Sequence, residues 1–346
     1  MFAGYMRGVN LGCWLCQCDG TETHYETHIT EEDFHVIQQW GCDHVRIPFS
    51  YVMVTAYDYR YLDRAVVWAK AAGLNAVLDM HVAPHYNFDH PDSDASTMFH
   101  NAAQQADFAA LWREIALHYQ AEGANVTFEL LNEVTREDDA VWNRIIRRTV
   151  EAIRSVSPER NIILGGTNWS KIDSLERLEL YDDPHVIYTW HAYEPYALTH
   201  QRASWWKEQI DFDRQVSYPD TMTDYDAYFD FMGFRTSWAE GLTVMDSTYL
   251  ERYVAEAAAF AKKHHVTLYC GEFGCIGLAD DESRRMWHRD FIALLLRHRI
   301  GYAIWNYRDN QETGGFALTH MDRSVKDQAI IDMLGAQTEE AVRQCC

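Results

Sequence analysis

The chain of 346 residues carries 52 acidic and 30 basic side chains, which gives a formal net charge of −22 at pH 7. An acidic surface repels nucleic acids and anionic membranes, so neither is an expected partner. The sequence has no run of about 18 apolar residues, so we predict no membrane-spanning segment. A hydrophobic content of 47% is enough for a large core, and the length suits one α/β barrel of about 250 residues with insertions.

The N-terminal region gives two expectations about location and metal binding. Residues 1–8 lack the basic start and apolar core of a secretory signal, so we expect a cytoplasmic protein. Cys13, Cys16 and Cys18, followed by His24 and His28, could bind zinc. Neither a second close cysteine pair nor the histidine spacing of a zinc finger is present, so we predict no metal there.

Apolar strands alternate with helices about eight times along the chain. The predicted strands cover residues 7–12, 44–49, 75–81, 126–133, 162–166, 186–193, 266–272 and 302–307. Helices are predicted for residues 31–40, 61–72, 108–123, 140–155 and 282–298, the first with Thr30 as N-cap and Asp33 near the capping-box position.

This alternation predicts the fold. Near-continuous apolar strands covered by helices form a parallel sheet, and eight such units close into a barrel. No Gly-x-Gly-x-x-Gly follows the first strand, which disfavours an open, doubly wound sheet. We therefore predict an α/β protein whose residues 1–346 form a single catalytic (β/α)8 TIM barrel.

A long segment after the sixth strand departs from the regular pattern. It covers about residues 196–247 and is polar and rich in aromatic side chains. Long ordered loops tend to be functional, so we expect it to form a wall over the active-site face of the barrel. The alternative is an insertion that packs on the side of the barrel. The aromatic residues concerned are Trp205, Trp206, Tyr218, Tyr225, Tyr228, Phe229, Phe231 and Trp238.

Two predicted strands end in carboxylates. The fourth reaches Asn132-Glu133, and the seventh reaches Glu272 after Gly271. Buried carboxylates are rare unless they are paired or functional. Since the C-terminal ends of all strands meet at one face of a TIM barrel, the two glutamates should lie close together there. Two such carboxyl groups are what acid-assisted glycoside cleavage requires.

Other strands also end in polar or aromatic residues. Each of these residues alone has a structural explanation: a histidine can be a hydrogen-bonded core residue, and an arginine can belong to a buried ion pair. Their occurrence on nearly every strand is hard to explain by packing, because burying polar groups costs free energy. The residues are Arg46, His81, Asn132, His191, Tyr193 and Trp305.

Together these residues resemble the pattern of glycoside hydrolase family 5, the cellulase and mannanase family. The strings that carry the resemblance follow the family order along nearly the whole chain: Arg-Gly-Val-Asn-Leu-Gly from Arg7, Val-Arg-Ile-Pro around Arg46, Leu-Asp-Met-His up to His81, Leu-Asn-Glu up to Glu133, Trp-His-Ala-Tyr up to Tyr193, Gly-Glu-Phe-Gly around Glu272 and Ala-Ile-Trp up to Trp305.

The resemblance implies a retaining mechanism that needs no metal or organic cofactor. Glu133 would be the general acid and then the base, and Glu272 would be the nucleophile. Arg46 and Tyr193 would keep Glu272 ionised, and His191 would orient Glu133.

The same resemblance assigns contacts with the sugar. Asn132 would bind its 2-hydroxyl, His81 would bind another hydroxyl, and Trp305 would be the platform under the reacting ring. We expect Trp169, after the fifth strand, to be a further platform. Two positions depart from the family pattern: His85, where many relatives have glycine, and Cys13, where some have asparagine. Both would lie near the non-reducing end of a bound glycan, and His85 is a further candidate for substrate binding.

We expect a retaining β-glycosidase that acts on β-linked glucosides or mannosides, and the aromatic wall favours an exo-acting enzyme for short oligosaccharides. An open-cleft endo-β-1,4-glucanase or endo-mannanase is the alternative. A non-catalytic carbohydrate-binding barrel would typically lack one of the two carboxylates. A metal-dependent barrel hydrolase would need His-x-His at the end of the first strand, where this chain has Asn10-Leu11-Gly12.

Overall fold

Eight parallel strands form a closed barrel in the computed structural model, which describes residues 1–90, 96–135, 137–310 and 314–345. Each strand pairs with the next in chain order, and β1 pairs with β8 to close the ring. The predicted TIM barrel is therefore confirmed. The strands are β1 (Arg7–Asn10), β2 (His44–Ser50), β3 (Asn75–Ala83), β4 (Val126–Glu129), β5 (Ile162–Gly165), β6 (Val186–Ala192), β7 (Thr267–Phe273) and β8 (Gly301–Ile304).

Helices surround the barrel, and capping side chains set where several of them begin. The capping box predicted at Thr30 is present, with the Thr30 N–H donating to Asp33 Oδ2 at 2.8 Å. The third helix begins earlier than predicted because Asn101 Oδ1 accepts the first free N–H groups. The main helices are α1 (Glu31–Gln39), α2 (Arg60–Ala71), α3 (Ala102–His118), α4 (Asp139–Arg154), α5 (Ser247–His264), α6 (Asp281–Arg297), α7 (Gln328–Gly335) and α8 (Glu339–Arg343).

Shorter elements lie in the connections, and the sequence did not predict them. They are the helices Glu22–Thr27, Val52–Thr55, Tyr196–Thr199, Lys207–Phe212 and Thr223–Met232, the helical turn Thr167–Ser170, the 3₁₀ helices Met98–His100, Ile172–Arg177 and Ser237–Ala239, and the two-residue strands Tyr86–Asn87, Asp220–Thr221 and Val244–Met245. In the described part of the chain, every helix is too short or too polar to cross a membrane.

The fourth strand ends earlier than predicted, at the point where the site begins. β4 stops at Glu129, so Asn132 and Glu133 lie on the loop that follows it and not within the strand. This loop still follows the sheet, because the Leu130 N–H donates to Ile163 O at 3.3 Å and the Asn132 N–H donates to Met80 O at 3.0 Å. Parallel pairing ends there, and the chain is free to turn its polar side chains over the barrel.

The interior of the barrel has an apolar lower end. Because alternate residues of each strand point inward, one set of side chains fills this space while the other set packs against the helices. The N-terminal residues before β1 close the lower end. The cluster consists of Phe2, Tyr5, Val77, Ile163, Ile187, Tyr269 and Ala303.

The aromatic segment after β6 contains two parts with different surroundings. Its later part packs on the outer helices: the Tyr218 hydroxyl donates to Asp290 on α6 at 3.0 Å, and Trp238 Nε1 donates to Glu256 on α5 at 2.8 Å. The side-packing alternative therefore describes this later part. The earlier part lies at the mouth of the barrel and belongs to the site described below.

Candidate active site

A fully buried arginine occupies the centre of the barrel above the apolar layer. Arg46 points inward from β2, at the level where β3 and β4 place Asp79 and Glu129 in register with each other. Its Nε and Nη2 donate to the two oxygens of Glu129 at 2.7 and 2.9 Å, and Nη2 lies 3.0 Å from Asp79 Oδ2. Its other N–H groups donate to Asn10 at 2.9 Å, Asn132 at 2.9 Å and Glu272 at 2.7 Å.

The charge of Arg46 compensates the carboxylates around it. Burial alone would lower the pKa of Arg46, but Asp79, Glu129 and Glu272 raise it well above its ordinary value. Removing one partner of a buried ion pair leaves an uncompensated charge, which is strongly destabilising. The guanidinium is therefore the permanent positive centre that allows carboxylates to lie inside the barrel.

A bulge directs Glu272 toward this centre. The pairing of β6 with β7 shifts by one residue at Gly271, so that Glu272 lies opposite His191. A Cβ on Gly271 would lie 3.0 Å from His191 Nε2, so glycine is needed for the two strands to pack this closely. One oxygen of Glu272 accepts from Arg46 at 2.7 Å, and the other accepts from the Tyr193 hydroxyl at 2.9 Å.

The surroundings of Glu272 have opposing effects on its charge. Burial raises the pKa of Glu272, while His191 and Arg46 oppose that rise. The two hydrogen bonds from Arg46 and Tyr193 are stronger when the carboxylate is ionised. They also fix its orientation, because each oxygen has its own donor.

Glu133 lies on the loop after β4, at the edge of the cavity. Its φ of 31° is left-handed, and its carboxyl group contacts His191, with Oε1 at 2.7 Å from Nδ1. Burial raises the pKa of Glu133 to about 8, against the opposing effect of Arg46. Burial lowers the pKa of His191 to about 4, so this ring is neutral near pH 7. Glu133 therefore keeps its proton at neutral pH and can act as an acid.

The separation of the two glutamates has a chemical meaning. One oxygen of Glu133 and one of Glu272 lie within 4.8 Å of each other. Retaining glycosidases hold their two carboxyl groups about 5–5.5 Å apart, whereas inverting enzymes need about 6.5–9.5 Å to admit a water molecule. The geometry therefore suits direct attack by a carboxylate on a sugar carbon.

Two buried polar atoms beside the glutamates have no protein partner. Within the described residues, Asn132 Nδ2 and His191 Nε2 form no hydrogen bond. The other end of the Asn132 amide accepts from Arg46, which fixes its orientation. An unsatisfied buried donor costs about 1–3 kcal/mol, so the Asn132 amide nitrogen is suited to bind a ligand hydroxyl.

Trp305 provides a flat apolar surface next to these groups. Its ring stacks parallel to the ring of His81, with centroids 5.7 Å apart and an interplanar angle of 7°. A Cβ on Gly12 would lie 2.8 Å from the Trp305 ring, so this glycine allows the indole to lie against the loop after β1. Such a surface is complementary to the C–H face of a sugar ring.

The site opens into a cavity of about 820 Å³. Two arcs of strands separate β4 from β7 around the barrel: β5 and β6 on one side, and β8, β1, β2 and β3 on the other. Residues that follow strands of both arcs line the cavity, and Glu133 and Glu272 lie between the two sets. The arc of β8, β1 and β3 contributes aromatic and polar side chains, among them Trp305, Phe88, Gln17 and Cys13. The arc of β5 and β6 contributes Trp169, Lys171, Tyr196, His200, Trp205, Trp206 and Glu208.

The aromatic segment after β6 therefore supplies one wall of the cavity, as predicted, but only through its first residues. The wall is held together by ring contacts, since His200 packs against Tyr196, Trp206 and Phe316 with centroids 5.2–5.8 Å apart. Trp205 is 51% exposed at its edge. Residues beyond Glu208 do not line the cavity until β7 in the described part of the chain.

The structure brings nearly all of the predicted site residues to this cavity or its floor, and His85 is the exception. Its side chain is exposed and does not line the cavity. The reason is that Pro84 and His85 form the tip of a tight hairpin in which Ala83 pairs with Tyr86. The φ of His85, 59°, is left-handed, which fits the glycine expected at this position.

The N-terminal cysteines lie apart from any cluster that could hold a metal. Among the described residues, the group of His, Cys and carboxylate side chains close enough to do so is Glu133, His191 and Glu272. Cys13 lines the cavity, and its carbonyl oxygen lies 2.7 Å from His24 Nε2.

Sequence reasoning missed two carboxylates of the site, Asp79 and Glu129. Both lie in strands that were read as apolar runs, and both are buried around Arg46. Their positions carried a usable signal. Asp79 is two residues before His81 and Glu129 is two residues after Thr127, so period-two alternation places them on the inward face. Lys171, which lies 5.0 Å from the Tyr196 ring, was also missed.

Comparisons with known proteins identify the family of the chain. The sequence profile of "Cellulase (glycosyl hydrolase family 5)" matches residues 8–311. Endoglucanase C of Acetivibrio thermocellus is 36% identical over 344 residues, covering 95% of this chain and 98% of that protein. Cellodextrinase A of Ruminococcus flavefaciens is 33% identical over 307 residues, covering 86% of this chain and 84% of that protein.

A solved structure shares the fold. Endoglucanase Cel5A of Thermotoga maritima superimposes with a TM-score of 0.75 at 23% identity, covering 98% of this chain and 97% of that one. The profile match over most of the chain confirms the predicted family. The protein thus belongs to glycosyl hydrolase family 5 and is a glycoside hydrolase that acts on O-glycosyl bonds of carbohydrates.

Proposed function

We propose that the protein is a retaining endo-acting β-1,4-glucanase that uses Glu133 as acid and base and Glu272 as nucleophile. The observation that carries the endo assignment is the cavity lining, which extends along both arcs of the barrel away from the glutamate pair. Sugar rings can therefore be bound on both sides of the bond to be cleaved. The names of the relatives, endoglucanase C and cellodextrinase A, support a β-1,4-glucan as the substrate.

The exo-acting enzyme that the sequence favoured is less well supported than the endo-acting alternative. That expectation assumed that the segment after β6 closes one end of the cavity. In the structure, the contribution of this segment ends at Glu208, and its exposed Trp205 lines the cavity instead of blocking it. An aromatic surface of this kind suits a further sugar ring.

In the first step, Glu272 attacks the anomeric carbon while Glu133 donates its proton to the leaving oxygen. The carboxylate of Glu272 is held by Arg46 and Tyr193, so its attacking oxygen is oriented before the substrate binds. The pKa of about 8 keeps Glu133 protonated for this step. The bond to the leaving sugar breaks, and a covalent glycosyl-enzyme ester forms.

In the second step, Glu133 takes a proton from water, and the resulting hydroxide displaces Glu272 from the anomeric carbon. Glu133 is then protonated again and Glu272 is ionised, so the enzyme returns to its starting state. Asn132 Nδ2 is suited to bind the 2-hydroxyl of the reacting sugar in both steps, because this buried donor has no partner in the described residues. That contact strengthens in the oxocarbenium-like transition state.

Product analysis tests the endo assignment. Cellohexaose labelled at its reducing end should give labelled products of several lengths early in the reaction, and carboxymethyl cellulose should lose viscosity faster than reducing ends appear. A single labelled product shortened stepwise by one unit would show exo-acting cleavage and contradict the proposal. Mannohexaose is the matched substrate for the choice of sugar, and faster cleavage of it would overturn the assignment to glucans.

The Glu272→Gln variant tests the alternative that the protein binds carbohydrates without hydrolysing them. It should bind cello-oligosaccharides but not hydrolyse them. Equal turnover by the wild type and this variant would show that the measured activity comes from a contaminant.

A further inference from the structure

Among the described residues, the hydrogen-bond partner of Asp79 is a ring nitrogen of His81. The Asp79 side chain is fully buried, its Oδ2 lies 2.6 Å from His81 Nδ1, and its Oδ1 has no partner in the described residues. Arg46 Nη2 lies 3.0 Å from the same Oδ2 but forms no hydrogen bond with it. All five N–H groups of Arg46 are used elsewhere. They donate twice to Glu129 and once each to Asn132, Asn10 and Glu272.

Asp79 and His81 must therefore share one proton. When Asp79 is a carboxylate, Nδ1 of His81 carries the proton and donates it, which leaves Nε2 bare. When Asp79 is protonated, its O–H donates to Nδ1, and Nε2 carries the ring proton. Burial raises the pKa of Asp79 to about 7 against the effect of Arg46, and burial lowers the pKa of His81 to about 4.

The opposite edge of the His81 ring belongs to the cavity. The ring lines the cavity, stacks on Trp305 and meets the edge of Phe88 at 5.0 Å. Its Nδ1 is turned toward Asp79, so Nε2 lies on the other side of the ring, which faces the cavity. Nε2 is therefore the atom of His81 that can contact a bound sugar.

We propose that Asp79 is a positioning residue that determines which nitrogen of His81 carries the proton. In the carboxylate form of Asp79, Nε2 accepts a hydrogen bond from a sugar hydroxyl; in the protonated form, Nε2 donates one. The statement about the sugar rests on the proposed function, whereas the location of the proton does not. The other ionisable groups around the pair are Arg46 on β2, Glu129 on β4, His191 on β6, Glu272 on β7, and Cys16, Asp89 and Glu133 on the loops after β1, β3 and β4.

Histidine ¹⁵N NMR of the whole protein tests the location of the proton directly. At pH 8.5 the carboxylate form of Asp79 predominates, and we expect a protonated Nδ1 and a bare Nε2 in His81. The signals of His81 are identified by their absence from a His81→Gln variant. A protonated Nε2 in the wild type, or signals averaged between the two tautomers, would overturn the proposal.

Two variants distinguish the effect of the Asp79–His81 contact from the effect of a negative charge beside Arg46. Asp79→Leu removes the acceptor, so His81 should change to the Nε2-protonated tautomer. Glu129→Gln also removes one negative charge beside Arg46, but Glu129 does not contact His81, so the His81 tautomer should stay as in the wild type. Identical His81 signals in Asp79→Leu and the wild type would contradict the proposal.

A double-mutant cycle tests whether Asp79 acts through His81. We expect kcat/KM on cello-oligosaccharides to fall about tenfold in Asp79→Leu and about tenfold in His81→Gln, the size of one hydrogen bond. The double variant should also lose only about tenfold, because the second substitution removes nothing further. A loss equal to the product of the two single losses, or no loss in Asp79→Leu, would contradict the coupling even if the NMR result holds.

Discussion

The two ends of the barrel interior are built from the same strands but contain different kinds of side chain. At the lower end, Val77 on β3 and Tyr269 on β7 belong to an apolar cluster that closes the barrel. Two residues further along β3 comes Asp79, and past the bulge of β7 comes Glu272, both in contact with Arg46. The lower end is stabilised mainly by apolar packing, whereas the upper end is stable only because its charges are paired.

The two ends of the barrel interior therefore contribute to different properties, the lower end to folding stability and the upper end to catalysis. Apolar packing at the lower end tolerates small changes at a cost in folding free energy, and it lies far from the reacting atoms. The upper end contains the carboxyl groups of Asp79, Glu129, Glu133 and Glu272 in one small space, a costly arrangement that serves catalysis. Substitutions at the two ends should therefore affect different measured quantities.

The largest effect is expected for Glu272, the proposed nucleophile. Glu272→Gln should lower kcat by about 10⁴-fold or more, since no covalent intermediate can form. Its melting temperature should not fall, because Asp79 and Glu129 still compensate the charge of Arg46 and one buried carboxylate is removed. For the rescue experiment, Glu272→Ala with azide and an activated aryl cellobioside should give the α-glycosyl azide. No rescue of this variant would contradict the assigned role.

A large effect that depends on the substrate is expected for Glu133. Glu133→Gln should lower kcat/KM on cello-oligosaccharides by about 10³-fold, the usual range for loss of a general acid. Aryl glycosides with a good leaving group should lose less in the first step, because they need little protonation. Steady-state kinetics on both substrates measure the difference, and equal losses would exclude Glu133 as the acid.

The raised pKa of Glu133 also predicts a pH dependence. The acid must be protonated, so kcat/KM of the wild type should fall as the pH rises through about 8. This alkaline limb should be absent from Glu133→Gln. A limb unchanged in the variant would mean that another group is responsible.

A smaller effect is expected for the hydroxyl that holds Glu272. Tyr193→Phe removes one of its two donors, so kcat should fall about 10–100-fold, as expected for a hydrogen bond to a charged group. The pKa of Glu272 should rise, which moves the acidic limb of the pH profile to higher pH. Tyr302→Phe is the matched control, because the buried Tyr302 hydroxyl has no partner in the described residues. Similar losses in both variants would contradict the role of Tyr193.

The smallest effect on activity is expected at the lower end of the barrel. Ile163→Val removes one methylene group from the apolar cluster and should lower the free energy of unfolding by about 1 kcal/mol. Urea denaturation measures this change, and kcat at 25 °C should stay as in the wild type. A clear loss of kcat would show that the two ends of the barrel are coupled.

Local patterns were enough to predict the barrel and both glutamates. Strand and helix periods repeat along the chain, and Glu133 and Glu272 each follow an apolar run, so the rule that strand ends converge could be applied to them. The ends of the strands were predicted less accurately than their existence. β4 ends at Glu129 because parallel pairing stops there, which depends on its neighbours and not on its own residues.

Other features depend on contacts between distant segments. Asp79 and Glu129 can be assigned only when Arg46 is known to lie between them, because a carboxylate in an apolar run gives no sign of its partner. The exposed position of His85 follows from a hairpin whose pairing was not predicted. The division of the segment after β6 depends on which of its aromatic rings meet the cavity and which meet α5 and α6.

The stereochemistry of the reaction tests the central claim most directly. Carboxyl oxygens within 4.8 Å of each other suit a double displacement through Glu272, which retains the configuration of the cleaved sugar. ¹H NMR of the first minutes of cello-oligosaccharide hydrolysis should show the new reducing end as the β-anomer, before mutarotation produces the α-anomer. Initial formation of the α-anomer would contradict the account.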